Sequence, residues 1–274
     1  MTEAESWQGE SDDAEIFENL FVPTLFGPWA PQVADAAGIT AGDRVLDVGC
    51  GTGILAREAV VRVGSTGSVT GLDLNEGMLA VARRTRPDVD WRLGDAQELP
   101  FDDESFDVVV SQFALMYFPD RVAALKEMKR VLAPEGRLAI AVWGPFERAT
   151  GYVTLAEIAT PHAGDDATNI LKAPHVLGDE GKLASLFDGA GFASLDINLR
   201  GGFYTQSSID LFVEAEVKGS PLEGLFDEES FQAFLEEASK GLQPFLSSNG
   251  EIVVPMDAII VTARKEASYI QREH

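Results

Sequence analysis

A chain of 274 residues is long enough to bury one large α/β core, or one domain with a sizeable insertion. Its 45 Asp+Glu against 21 Lys+Arg leave a formal net charge of −24, a field that repels phosphate backbones. With no Lys/Arg cluster to relieve that field, no nucleic-acid partner is expected.

No apolar run is long enough to span a bilayer, and Met1 to Glu18 lack the basic and apolar regions of a signal peptide. The single cysteine, Cys50, excludes an internal disulfide framework and fits a reducing compartment, so a cytoplasmic location is expected. The acidity has two readings that the sequence leaves open: adaptation to high salt, where screening suppresses self-repulsion, or simple solubility. Oligomeric state is open too, monomer or homodimer.

Residues Asp12 to Ala37 predict one or two helices broken near Pro23 and Pro28, with Phe17, Phe21, Leu25 and Trp29 at roughly helical spacing. Arg44 to Val48 is a short buried strand, Gly49 to Gly53 a glycine loop, and Ile54 to about Val63 a helix. A second strand, Ser68 to Asp73, precedes a helix through Met78, Leu79 and Val81 that Asn75 is placed to cap. Strands follow at Val89–Leu93 and Phe106–Ser111, then an amphipathic helix at Asp120–Leu132 and a fifth strand at Arg137–Val142. Strands alternating with helices imply a doubly wound, Rossmann-like parallel sheet joined by right-handed crossovers.

Beyond Trp143 the pattern loosens. Gly144 to Gly178, rich in Pro and Gly, reads as an irregular or partly helical insertion after strand five. A helix at Glu180–Ala190, a strand near Ser194–Arg200, acidic Phe-rich helices at Ser208–Val217 and Asp227–Gly241, and a last strand at Ala258–Thr262 complete the pass. The domain scheme is an N-terminal helical cap (1–40), a catalytic domain (41–265) with insertions at about 144–178 and 201–250 forming a substrate cover, and a frayed tail (266–274).

The loop Asp47-Val48-Gly49-Cys50-Gly51-Thr52-Gly53 has glycine at every second position, unlike the G-x-G-x-x-G of dinucleotide sites. It lies at the carboxyl end of strand one, where open α/β sheets bind ligands. Asp47 would repel a pyrophosphate but suits a cationic amino group. By itself such a loop is equally a tight strand-to-helix turn. Asp73, at the end of strand two, can accept from both ribose hydroxyls, or can be a helix-start acid favoured by the dipole. Asp95 can accept from an adenine amine with Leu74 and Ala96 lining the ring, or can be a turn residue.

Together, Val45 to Gly53, Gly71-Leu72-Asp73-Leu74-Asn75 and Gly94-Asp95-Ala96 to Phe106-Asp107-Val108-Val109 resemble the class I S-adenosylmethionine-dependent methyltransferases. The nearest likeness is to the small-molecule branch that includes the ubiquinone/menaquinone-biosynthesis type. The resemblance covers roughly Asp43 to Val142. It implies a seven-stranded, mostly parallel sheet with strand seven inserted antiparallel, and S-adenosylmethionine as cofactor. In its cofactor site Gly49 and Gly51 face the methionine part, and Asp47, Cys50 and Gly53 of the same loop are further cofactor-binding candidates. Asp73 faces the ribose, and Asp95 with Leu74 and Ala96 the adenine. Ser111 and Gln112 match positions that touch the methionine amino group. Two departures stand out: Leu115 to Asp120 where many relatives carry a histidine, and Glu135 where glycine is common.

The expected reaction is in-line methyl transfer to a small molecule. The alternatives are a non-catalytic S-adenosylmethionine-binding protein and an NAD-dependent oxidoreductase, the latter opposed by the glycine spacing and Asp47. No site-like cluster of metal ligands is present, and Cys50 reads as a small filler rather than a nucleophile. Tyr117 is a candidate to orient the acceptor and His162 a candidate base. The expected acceptor pocket is aromatic, walled by Phe17, Phe21, Trp29, Tyr117 and the segments after Trp143 and Gly201.

Overall fold

The computed structural model describes residues 11–267. The first ten residues, and the expected frayed tail from 268 onward, lie outside the described residues. In chain order the strands are β1 (Arg44–Val48), β2 (Ser68–Asp73), β3 (Asp90–Leu93), β4 (Phe106–Gln112), β5 (Leu132–Trp143), β6 (Leu195–Arg200), β7 (Phe203–Gln206), β8 (Ile252–Pro255) and β9 (Ala258–Arg264). Seven of them form one sheet in the order β3-β2-β1-β4-β5-β9-β6. Strands β1 to β5 run parallel, while β9 is inserted antiparallel between β5 and β6. The seven-stranded expectation holds, including the reversed strand.

The middle strands are buried on both faces: Val45, Leu46, Val108, Val109, Val110 and Ile140 have no exposed surface. That explains their unbroken apolar runs, since a parallel sheet covered by helices has no polar face. The covering helices include α2 (Ala30–Ala37), α3 (Ile54–Val63), α4 (Glu76–Thr85) and α5 (Arg121–Val131), with α1 (Ser11–Ile16) packed on α4. Capping side chains fix where they begin. Asn75 accepts from the Gly77 and Met78 amides at 2.8 and 3.2 Å, and Asp120 from Ala123 at 2.9 Å. Because β1 is flanked by β2 on one side and β4 on the other, the chain reverses direction across the sheet there. A crevice opens at the carboxyl ends of these strands.

Two expectations about helices change. The N-terminal run does not break at its prolines: α1 passes into a π-helical stretch, Phe17–Phe26, that contains Pro23. A 3₁₀ turn, Gly27–Trp29, then leads into α2. The wider π winding accommodates a residue without an N–H, and burial of Phe21, Val22 and Leu25 holds the stretch in place. The segment 144–178 is also more helical than its prolines suggest. It contains 3₁₀ turns at Phe146–Arg148 and Ala173–His175, with α6 (Thr150–Ala163) and α7 (Asp165–Lys172) between them. After α8 (Glu180–Gly189), the second insertion supplies α9 (Ile209–Lys218) and α10 (Glu228–Gly241). α6 packs against both α7 and α10, so the two insertions form one layer.

The antiparallel pair β7–β8 was not anticipated. Its members are four residues each and meet only across the whole second insertion. Among the described residues no helix is long and apolar enough to cross a membrane.

The N-terminal run is anchored by Trp29, whose ring packs against Gly202. A Cβ on Gly202 would sit 2.2 Å from that ring and 2.9 Å from the Met256 carbonyl oxygen. Gly202→Ala should therefore destabilise the fold by about 1–3 kcal/mol through overpacking. Denaturant unfolding of the variant checks this, and an unchanged midpoint would mean the seam yields without cost.

Candidate active site

A cavity of ≈ 350 Å³ opens over the carboxyl ends of β1, β2 and β4. Its lining gathers Asp47, Gly49, Cys50 and Gly51 from the glycine loop, Asp73 and Leu74 from the end of β2, Asp95 and Ala96 after β3, and Gln112 and Tyr117 after β4. Residues far apart in sequence thus meet in one place.

The glycine loop is shaped by its backbone. Gly49 and Gly51 adopt φ of 69° and 54°, and a Cβ on Gly49 would lie 2.4 Å from the Ala114 methyl. The Gly49 and Cys50 amides both donate to the Leu72 carbonyl, at 2.8 and 3.0 Å, which pins the loop to β2. Asp73 helps set the turn: one carboxylate oxygen accepts from the Gly51 amide at 2.7 Å, the other from Asn75 at 2.8 Å. Burial pushes the Asp73 carboxyl above its ordinary value, and the amides of Asn75, Gly51 and Leu74 offset part of that.

Asp47 is different. It is 1% exposed, and neither carboxylate oxygen has a hydrogen-bond partner. Burial pushes its carboxyl up to about 7, and the nearby charge of Asp73 pushes the same way. The Ala56 amide offsets some of this without closing a hydrogen bond. A buried anion facing a cavity without a partner fits a cationic ligand group. Cys50, also buried, is held as a neutral thiol, its pKa raised by burial and by Asp73 and Asp47. This agrees with a filler role.

At the opposite wall the Asp95 carboxylate accepts from the Gln97 amide at 2.8 Å, and Leu74 stays 59% exposed across the mouth. The remaining wall is aromatic and was largely missed in the sequence. Phe17, Phe26, Phe113 and Phe118 line the cavity beside Tyr117. Phe113 follows β4 with φ of 55°, an uncommon conformation for a bulky residue, of the strained kind that concentrates at functional sites. Its amide donates to the Ala141 carbonyl at 2.8 Å, and its ring stacks on Trp143 at 3.6 Å. Its position directly after a central strand was the signal available. Gln112 ties the N-terminal run to this wall, donating to the Phe26 carbonyl at 3.1 Å. Glu18 pairs with Arg57 at 2.9 Å, and Arg57 also donates to the Thr52 carbonyl of the glycine loop.

Several expected residues lie elsewhere. Ser111 does not line the cavity; its hydroxyl is fully buried without a partner. Neighbours on a strand point to opposite faces, so Ser111 and Gln112 do not share a site. Gly53 is set back, its φ of 88° starting α3 and its open side filled by the Trp91 ring. His162, the candidate base, is on α6 with Nε2 3.2 Å from a Glu237 oxygen, and is not part of the cavity. Phe21 and Trp29 are buried core residues, and the segments after Trp143 and Gly201 do not line this cavity. Glu135, which replaces the common glycine, does adopt a positive φ of 64°.

Comparison with known proteins agrees with this architecture. Residues 46–140 match the family described as "Methyltransferase domain". A demethylmenaquinone methyltransferase of Renibacterium salmoninarum is 37% identical over 64% of this chain and 77% of its own length. A ubiquinone/menaquinone biosynthesis C-methyltransferase of Chromobacterium violaceum is 32% identical over 73% and 87%. The fold is shared by the phosphoethanolamine N-methyltransferase 2 of Haemonchus contortus, solved with S-adenosylhomocysteine. Its TM-score is 0.56 at 19% identity, covering 95% of this chain and 58% of that one.

The sheet, glycine loop and relatives define an S-adenosylmethionine-dependent methyltransferase that acts on a small molecule. Within that class the chain belongs to the class I methyltransferases of the quinone-biosynthesis type. Neither the oxidoreductase nor the non-catalytic alternative is favoured by these relatives.

The state of Asp47 has a measurable consequence without ligand. A carboxyl raised from 3.8 to about 7 in the fold costs stability as pH climbs through that window. Asp47→Asn should therefore leave the apoprotein as stable as the parent near pH 4 and raise its thermal midpoint above pH 7. A variant that melts lower at high pH would show that the charge is compensated.

Proposed function

We propose that the enzyme methylates an electron-rich hydroxylated ring of the quinol class, held against the aromatic wall of the cavity. The observation that carries this reading is the wall itself: Phe17, Phe26, Phe113 and Phe118, with one hydroxyl at Tyr117. The names of the two relatives point to the same acceptor class.

In this reading Asp47 takes the ammonium of the cofactor's methionine part, and Gly49 and Gly51 allow its close approach. Asp73 keeps lone pairs for the ribose hydroxyls beside its two backbone bonds. Asp95, Leu74 and Ala96 receive the adenine. Ser111 acts only from behind the strand, and Gln112 is the polar group left at the methionine end. When bound, S-adenosylmethionine supplies an activated methyl group on a cationic sulfur. The protein contributes orientation and a dry wall, since attack by a developing anion on a sulfonium cancels charge and is favoured where water is excluded. The N-terminal run (to residue 40) acts as a cap through Phe17 and Phe26. The insertions at 144–178 and 201–250 form the layer behind Tyr117 rather than a lid on the cofactor cavity.

The test joins binding to turnover. The parent protein should bind S-adenosylhomocysteine and transfer labelled methyl from S-adenosylmethionine to 1,4-naphthohydroquinone. Asp73→Ala should weaken S-adenosylhomocysteine binding by roughly 1–3 kcal/mol, the cost of leaving buried partners unpaired. Unchanged affinity in calorimetry removes Asp73 from the site, and turnover only on non-aromatic acceptors removes the quinol.

A further inference from the structure

Three of the chain's four tyrosines, Tyr117, Tyr152 and Tyr204, converge on one carboxylate, Glu216. Glu216 lies on α9, within the layer built by the two insertions, and is buried. Tyr152, from α6, donates a hydrogen bond to its Oε1 at 2.8 Å. Tyr204, on β7, and Tyr117, in the 3₁₀ turn after β4, lie near enough to feel its charge. Burial raises the pKa of all three hydroxyls, and the negative charge of Glu216 adds to it. Gln206 completes the surroundings, donating to the Tyr204 hydroxyl at 3.2 Å, and Phe212 packs edge-on to Tyr152 at 5.9 Å. Among the described residues no Lys, Arg or His neutralises Glu216.

A buried carboxylate without a cation is costly, and an apolar residue there would serve packing better. One member of the cluster, Tyr117, reaches the cofactor cavity. The cluster therefore joins the aromatic wall, at Tyr117, to the surroundings of an internal carboxylate.

We propose that Glu216 is the positioning carboxylate of the methyl-acceptor site, taking up through Tyr152 and Tyr117 the hydrogen that the acceptor loses on methylation. The proposal rests on the quinol reading above. As a hydroxyl of the acceptor gives its hydrogen to the Tyr117 oxygen, the Tyr117 hydrogen moves to Tyr152 and the Tyr152 hydrogen to Glu216. No free tyrosinate forms. The electron pair released into the ring closes the bond to the methyl carbon, and the carbon–sulfur pair stays on sulfur as a neutral thioether. The methylated ring carbon then sheds its hydrogen to the carbonyl oxygen, restoring the hydroxyl. One methyl is gained, one proton is lost, and the carboxylate ends as a carboxylic acid that returns its proton to water after product leaves.

Burial pushes the Glu216 carboxyl up to about 7, with the Tyr152 bond offsetting part of the shift. The relay needs the ionised form, so turnover should rise as pH climbs through about 7. Glu216→Gln should lower kcat on naphthohydroquinone by on the order of 10²-fold and remove that rising limb. Its affinity for S-adenosylhomocysteine should stay within about twofold of the parent, because Glu216 is outside the cofactor cavity. Tyr152→Phe should move kcat in the same direction and carries the test if Glu216→Gln does not fold. A direct readout is the parent-minus-Glu216→Gln infrared difference, in which the band of Asp47 cancels and a buried protonated carboxyl should titrate out near pH 7. Retention of kcat and of the rising limb in Glu216→Gln overturns the proposal, as does a carboxyl that stays protonated throughout the titration. If the parent fails to methylate naphthohydroquinone, the quinol reading falls, and the infrared titration alone decides whether Glu216 is a proton acceptor.

Discussion

The structure turns on a buried negative charge placed where the sheet changes direction. Asp47 is the penultimate residue of β1, at the seam between β2 and β4, with both oxygens unpartnered. Dehydrating an anion without a counterion is among the more expensive acts a fold performs. Its presence makes sense when a cation completes the site. The glycines beside it serve the same end, because only a backbone at φ of 69° and 54°, free of side chains, leaves a ligand room near that carboxylate. Asp73 links the two by holding the Gly51 amide while facing the cavity itself.

Around this centre the molecule is layered. The parallel strands and their helices form the frame, and the N-terminal run and the inserted helices pack around it. Fold alone does not choose the acceptor, since one sheet carries many chemistries. Beside the cofactor residues stand the aromatic wall, held by Phe113 at positive φ and its stack on Trp143, and the phenol cluster behind Tyr117.

Local signals explain how much was readable in advance. Strands β1 and β2 and helix α3 start and stop where glycine, Asn75 and the apolar runs indicate, because those determinants act over a few residues. The ten cavity residues from Asp47 to Tyr117 were legible because spaced motifs place them at strand ends. Ser111 and Gly53 misled for local reasons, the pleat for one and the Trp91 contact for the other. His162 misled because only tertiary packing of α6 on α10 sets it against Glu237. The continuous N-terminal run, the β7–β8 pair and the Glu216 cluster depend on long-range burial, which no short window of sequence contains. Pro23 in particular signals a break, yet the π winding absorbs it once Phe21 and Leu25 are buried.

The most direct test of the account is a crystal structure of the protein with S-adenosylhomocysteine bound. The account predicts the ligand's ammonium within hydrogen-bonding distance of Asp47, its ribose on Asp73, its adenine between Leu74 and Ala96, and its sulfur facing the wall of Phe26, Phe113 and Tyr117. A ligand seated with its amino acid end away from Asp47, leaving that carboxylate as isolated as it is in the free protein, would contradict the account at its centre.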